Sequence, residues 1–358
     1  MILFNYINMT NLYIISIKDL IDLLARLQAD YRIFVPYRKG DRIQFGPFDP
    51  DRNEDMEFGG VRQTQPLKSF ISPSRDIVMD GNPVASKPLL IAGVKGCDLQ
   101  SLKVQDFVFR QGDLEDPFYA KKRDEAFIIA SDCTYANETC FCLAMDGAPY
   151  PKRDYDISLS LSGSYLVAEA GSDKGENLVK KYNMFFKSTS RRDVEGRDKK
   201  RKSVSNQVEE FMRERRTPDA KAVRGAVKKS YDKVEMWEDF ASTCVECGAC
   251  NLVCPTCHCF LLYDEKAKDG KENRRVKIWD SCLYKTFARV AGGANPRRHL
   301  YERLRNRFDK KFEFFPEVLN HVACTGCGRC IEACPGNIDI REVLKGAVSG
   351  KWEKPPHK

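Results

Sequence analysis

Two runs of the chain, Cys244-Val-Glu-Cys247-Gly-Ala-Cys250-Asn-Leu-Val-Cys254-Pro and Cys324-Thr-Gly-Cys327-Gly-Arg-Cys330-Ile-Glu-Ala-Cys334-Pro, share the spacing C-x2-C-x2-C-x3-C-P. Such a run wraps three thiolates around one face of a [4Fe-4S] cube and sends the fourth to a neighbouring cube. The expected ligand sets are Cys244, Cys247 and Cys250 with Cys334, and Cys324, Cys327 and Cys330 with Cys254. Gly248 and Gly328 allow the tight turn, and the proline after each fourth cysteine ends it. Zinc also uses C-x2-C pairs, but it has no need of the third cysteine and the Cys-Pro, in duplicate. Two cubes sharing one small fold pass electrons singly, so the expected chemistry is a relay, with substrate chemistry elsewhere.

A second group lies earlier. Cys97 sits in Gly93-Val-Lys-Gly-Cys97-Asp98 after one expected strand, and Cys133, Cys140 and Cys142 follow the next. Loops after neighbouring parallel strands converge, and four converging cysteines can complete a third [4Fe-4S] cluster; structural zinc and inert buried thiols are the alternatives. Cys257 and Cys259, in Pro255-Thr-Cys-His-Cys-Phe260, and Cys282, in Trp279-Asp-Ser-Cys282, are left over. They read as thiols packed beside the clusters, as further cluster ligands, or as a redox pair. Lys95 and Arg329 are the local charges expected to tune the clusters, and His258 tunes or covers one. No catalytic residue is assigned: the four histidines show no metalloprotease spacing, no nucleophile elbow is present, and Gly171-Ser-Asp-Lys-Gly175 reads as an ordinary turn rather than a phosphate loop.

The elements that must hold these residues are legible in part. Residues 17–35 open with apolar positions at helical spacing (Ile17, Leu20, Leu23, Leu24, Leu27) and continue as an alternating strand, Tyr31, Ile33, Val35, ended by Pro36. Pro88 to Val94 reads as a buried strand stopping near Gly93, and Glu125 to Asp132 as another, with Ser101 to Arg110 a connection or short helix between them. Asp156 to Ala170 reads as two strands around a Ser-Gly turn. The expectation is an α/β or α+β domain over 15–185, a basic helical linker over 186–235, and a mainly helical two-cluster ferredoxin-like domain over 236–345 with a long insertion at 260–320, helical in its later half, serving as scaffold and partner contact.

Length and composition bound the rest. With 358 residues, 42% hydrophobic and 31% charged, the chain can bury cores and is neither disordered nor fibrous. Fifteen cysteines in so long a chain argue for a reducing, cytoplasmic setting rather than a disulfide-stapled secreted domain. No apolar run approaches a bilayer span, and Met1–Met9 lacks the basic leader of a secretion signal. The net charge of +8 resides entirely in Lys187–Lys229, with fifteen Lys and Arg against seven Asp and Glu. That segment suits an acidic partner, an anionic surface or a solvated connector. It lacks aromatic residues at stacking spacing, which disfavours nucleic acid.

Beyond the cysteines, the residues resemble a known group: the beta-type iron-sulfur subunit of cytoplasmic sulfhydrogenases and the A subunit of anaerobic sulfite reductase, 4Fe-4S dicluster proteins also found beside heterodisulfide-reductase-like complexes. The resemblance spans about Lys18 to Val343. It rests on Gly93–Asp98, Asp116-Pro-Phe-Tyr119, Cys140-Phe-Cys142, Cys254–Phe260, Trp279–Cys282 and Ala291-Gly-Gly-Ala-Asn-Pro296. The family usually carries Arg-Pro where this chain has Lys95-Gly96. The resemblance implies a hetero-oligomeric electron-transfer subunit between a flavin subunit that handles NAD(P)H and a terminal hydrogenase, sulfite reductase or bifurcating module. It also implies that Cys257, Cys259 and Cys282 are more than filler. A self-contained reductase with an open cluster iron, and a zinc or structural-cluster scaffold, are the other classes.

Overall fold

The computed structural model describes residues 11–79, 87–266 and 273–355; the expectation for Met1–Met9 lies outside them. An N-terminal mixed α/β region precedes a mostly helical C-terminal region. Eleven strands are described: β1 (Leu12–Ser16), β2 (Arg32–Lys39), β3 (Arg42–Pro47), β4 (Arg75–Met79), β5 (Leu89–Val94), β6 (Phe127–Ser131), β7 (Ile157–Ser162), β8 (Tyr165–Ala170), β9 (Lys187–Ser188), β10 (Phe260–Lys266) and β11 (Asn273–Trp279). Eight of them, all but β4, β10 and β11, form a sheet of order β3-β2-β5-β6-β7-β8-β1-β9, whose centre, β2-β5-β6-β7, is parallel.

Both faces of that centre are covered, so its strands read as continuous apolar runs rather than alternating ones. Leu90, Ala92, Phe127 and Ile129 face the helix Ile17–Leu27, while Leu89, Ile91, Ile128 and Ala130 face the helix Gly96–Arg110. The first helix starts at Ser16, whose hydroxyl accepts the Asp19 N–H, and buries Leu20, Leu23, Leu24 and Leu27. Two local expectations need correction. Strand β2 runs through Pro36 to Lys39. Ile33 directs its carbonyl to the β3 side, so Pro36 faces the opposite edge, where pairing with β5 has ended at Phe34 and Ile91 and no ladder N–H is needed. Strand β5 ends at Val94, one residue past Gly93, which bulges it (φ +81°) and leaves room for the Pro36 ring. The segment after Val94 is a full helix from Gly96 to Arg110.

The basic segment is largely docked. Helix Arg191–Glu214, opened by a Ser190–Asp193 capping box, buries Val194, Val204 and Val208. Its Arg201 pairs with Asp132 at 2.7 Å and its Arg197 with Glu169 at 3.1 Å. Charged residues thus occupy positions of the buried face, which is why the composition reads as solvated.

The two regions are interlocked. Strand β4, from the N-terminal half, pairs with β11 of the late insertion, and β11 pairs with β10. Buried Lys277 on β11 meets Asp116 at 2.5 Å. Asp116 also caps the helix Pro117–Glu125, accepting the N–H groups of Phe118 and Tyr119 at 3.0 Å each. Burial pushes the Asp116 carboxyl up, but Lys277 and the two N–H groups outweigh it and hold the carboxyl below its ordinary range. Replacing Asp116→Ala removes the cap and strands a buried ammonium, so urea unfolding should show a loss of roughly 3–5 kcal/mol. Because the folded-state value is depressed, this stabilisation is present above the unfolded carboxylate range and is lost as pH falls through the folded-state value.

Candidate metal centres

The parallel order of β5 and β6 carries the loops after both strands to the same end of the sheet. Cys97 opens the helix that follows β5, and Cys133, Cys140 and Cys142 lie in the loop after β6. These four cysteines line one cavity. A second cavity is lined by Cys254, Cys324, Cys327 and Cys330, and a third by Cys244, Cys247, Cys250 and Cys334. The three follow one another in a row: Cys327 stands on the wall of both the first and second, and Cys330 on the wall of both the second and third. Among the described residues, no three Cys, His, Asp or Glu side chains close on a point as they do around a single ion.

Backbone contacts stitch the cysteine loops together. The Phe141 N–H donates to Gly326 O at 2.8 Å, joining the Cys140–Cys142 loop to the Cys324–Cys330 loop. The Thr243 hydroxyl donates to Gly336 O at 2.7 Å, joining the start of one duplicated run to the end of the other. Gly328 lies in the left-handed region (φ +75°), and a Cβ there would stand 2.5 Å from Thr139 O.

Burial governs the thiols. It pushes Cys133 up to about 11 and Cys324 up to about 12, and raises Cys97, Cys142 and Cys330 as well. Cys254 goes the other way, lowered by a hydrogen bond from Cys257 and by the Lys311 ammonium. Lys311 Nζ donates to Cys254 Sγ at 3.3 Å, to Thr256 Oγ1 at 2.8 Å and to Ala323 O at 3.1 Å.

The expected tuning residues take distinct places. Lys95 Nζ is enclosed by Phe58 O, Gly59 O, Ser131 Oγ and Asp132 O and holds the loops around the first cavity together. Arg329 pairs with Asp98 at 2.7 Å inside the protein. His258 lies against Phe315, and burial pushes it down to about 4, so it carries no charge near neutral pH. Cys257, Cys259 and Cys282 line none of the three cavities, and the Cys257 thiol donates to Asn251 Oδ1 at 3.6 Å. The Asn251 amide touches this group, donating to Cys282 Sγ at 3.1 Å and to Ser281 Oγ at 2.9 Å.

Sequence reasoning missed Arg62, Arg307 and Lys311. Arg62 donates to Cys327 O and pairs with Glu332 at 2.6 Å. Arg307 lines both the second and third cavities, with its Nε on Asn251 Oδ1 at 2.9 Å. The signal for it in the sequence is the arginine-rich stretch Arg297–Arg307. Arg307 Nη2, Thr325 Oγ1 and Arg329 Nη1 are buried without a hydrogen-bond partner. Orphaned donors beside rings of thiols fit an anionic, sulfur-rich group, whose sulfurs would accept from them.

Residues 243–338 match the family of 4Fe-4S dicluster domains. Over its wider length the chain is similar to a protein of Pyrococcus furiosus named sulfhydrogenase 2 subunit beta, with 29% identity over 340 residues, covering 91% of this chain and 95% of that one. Together these likenesses support iron-sulfur binding and a general electron-transfer role. Among the described residues no helix is long and apolar enough to cross a membrane.

Replacing Gly328→Ala should force the Cys324–Cys330 loop away from Thr139 and lower the iron and acid-labile sulfide bound per chain. Gly112→Ala, which meets nothing within 4 Å, should leave both unchanged.

Proposed function

We propose that this chain is the electron-relay subunit of a multi-subunit oxidoreductase. Three [4Fe-4S] cubes would be held by Cys97, Cys133, Cys140 and Cys142; by Cys254, Cys324, Cys327 and Cys330; and by Cys244, Cys247, Cys250 and Cys334. Bound there, the cubes supply single-electron uptake and release. The observation that carries this reading is the row of three cysteine-lined cavities, each sharing a cysteine wall with the next. The chain's own residues hold that row in place: buried Phe141 lines the second cavity between two cysteines of the first, the buried Arg329–Asp98 pair clamps the loops, and buried Arg62 reaches the more exposed Glu332. The two ends differ. At the first cavity Cys97, Cys140 and Cys142 are buried and Cys133 is half-buried, whereas Cys247 at the third is exposed beside Val245. Electrons would enter or leave most directly past Cys247.

The partners we propose are a flavin subunit that exchanges electrons with NAD(P)H and a terminal reductase, hydrogenase or bifurcating module. The likeness to a protein named as a hydrogenase subunit supports a hetero-oligomer, and so does strand β10. That edge strand exposes Phe260, Leu261, Leu262 and Tyr263 in succession, more apolar surface than an unpartnered strand ordinarily shows. The domain division we propose follows the row of cavities: a sheet domain over 15–185 holding the first, a helical connector over 186–235, and a dicluster domain over 236–345 holding the other two.

Purified without oxygen, the chain should bind about twelve irons and about twelve sulfides, with spin-coupled signals when reduced. Replacing Cys133→Ala should remove about four of each and one signal. About eight irons in the unmodified chain would confine the relay to the dicluster domain, and zinc without sulfide would overturn the relay.

A further inference from the structure

Resting on that reading, we infer that Lys311 and Arg307 make the middle site the charge-holding station of the row, taking up an electron before the site held by the N-terminal cysteines. The two cations stand four residues apart, on the helix Leu300–Asp309 and on the π-turn Lys310–Phe314 that continues it, and so reach one side. Both line the middle cavity and both are buried. Lys311 touches sulfur directly, at Cys254, and the rest of its donors go to Thr256 Oγ1 and Ala323 O. Arg307 has its Nε on the neutral Asn251 amide and leaves Nη2 without a partner. Neither makes an ion pair with a carboxylate among the described residues.

The first site is arranged differently. Its nearby guanidiniums are neutralised, Arg62 by Glu332 and Arg329 by Asp98, and the Asp98 carboxylate lies 3.9 Å from Cys97 Sγ. Lys95 is the exception in charge, but its ammonium is enclosed by four oxygens and donates to no sulfur. Reduction adds one negative charge to a cube. In a dry interior that charge is favoured beside uncompensated cations and disfavoured beside a carboxylate.

The test is a potentiometric titration of the full chain under anaerobic conditions, followed by electron paramagnetic resonance. Loss of a signal in Cys133→Ala identifies the first site. In the unmodified chain, the middle signal should appear before that one. Lys311→Met, with iron content unchanged, should weaken one-electron reduction of the middle site at least tenfold, a shift of about 59 mV, and leave the first site where it was; Lys311→Arg should restore most of the shift. An unmoved middle potential in an iron-replete Lys311→Met chain would overturn the inference. So would earlier reduction of the first site in the unmodified chain, which decides the matter even if the variant fails to assemble. A chain with no middle signal at all would instead defeat the relay itself.

Discussion

Uncompensated positive charge in the interior is the constraint on which the rest depends. Arg307 and Lys311 are buried among cysteines, and their other hydrogen bonds go to amide, hydroxyl and carbonyl oxygens. An isolated buried cation is among the costliest features a protein can contain, and it persists only where negative charge meets it. Thiolates, and the sulfides of the proposed clusters, would supply that charge. On the proposed reading the fold of the C-terminal half would therefore be coupled to its cofactors: the helix that carries Arg307 is held by Arg303, which reaches Leu283 O, Arg297 O, Arg298 O and Glu246.

The same constraint explains why two regions of different architecture are interlocked rather than tethered. A cluster site tolerates little movement between its ligands, and here the walls of neighbouring sites come from opposite ends of the chain. The Phe141–Gly326 backbone bond, the Arg329–Asp98 pair and the β4–β11 pairing all cross the boundary between the sheet and the helical region. Lys68 adds a fourth crossing, donating to Asn251 O and Cys257 O while its ammonium lies 4.2 Å over the Trp279 ring. These contacts set the separation of the first cavity from the second, which for a relay is the functional distance.

Several motifs that looked like family signatures acquire physical roles from this arrangement. Asp116-Pro-Phe-Tyr119 is a helix start: Asp116 caps it and binds Lys277, Pro117 presets the first turn, and Tyr119 is buried with its hydroxyl on Asp106 at 2.7 Å. In Trp279-Asp-Ser-Cys282 the indole N–H donates to Ser72 O at 2.8 Å, and Ser281 and Cys282 both accept from Asn251. Cys282 thus lies outside the three cavities, tied through Asn251 to the first duplicated run.

The sequence by itself determined the local elements and the chemistry. Apolar periodicity marks the helix Ile17–Leu27, and continuous apolar runs mark β5 and β6, because burial on one or both faces leaves that imprint on neighbouring residues. The duplicated cysteine spacing names the cofactor class, since ligand geometry within one loop is a local property. What only the tertiary structure decided is long-range. That Pro36 lies inside a strand depends on where β5 stops pairing. The basic helix Arg191–Glu214 is docked because Asp132 and Glu169 wait for Arg201 and Arg197, and a charged side chain carries no periodic signal of its distant partner. The hairpin β10–β11 has no alternation, because one strand is exposed on both faces. Arg307 and Lys311 read as surface charges until the helix that bears them is packed against the thiols, since spacing along the chain says nothing about which cations lack a carboxylate once folded.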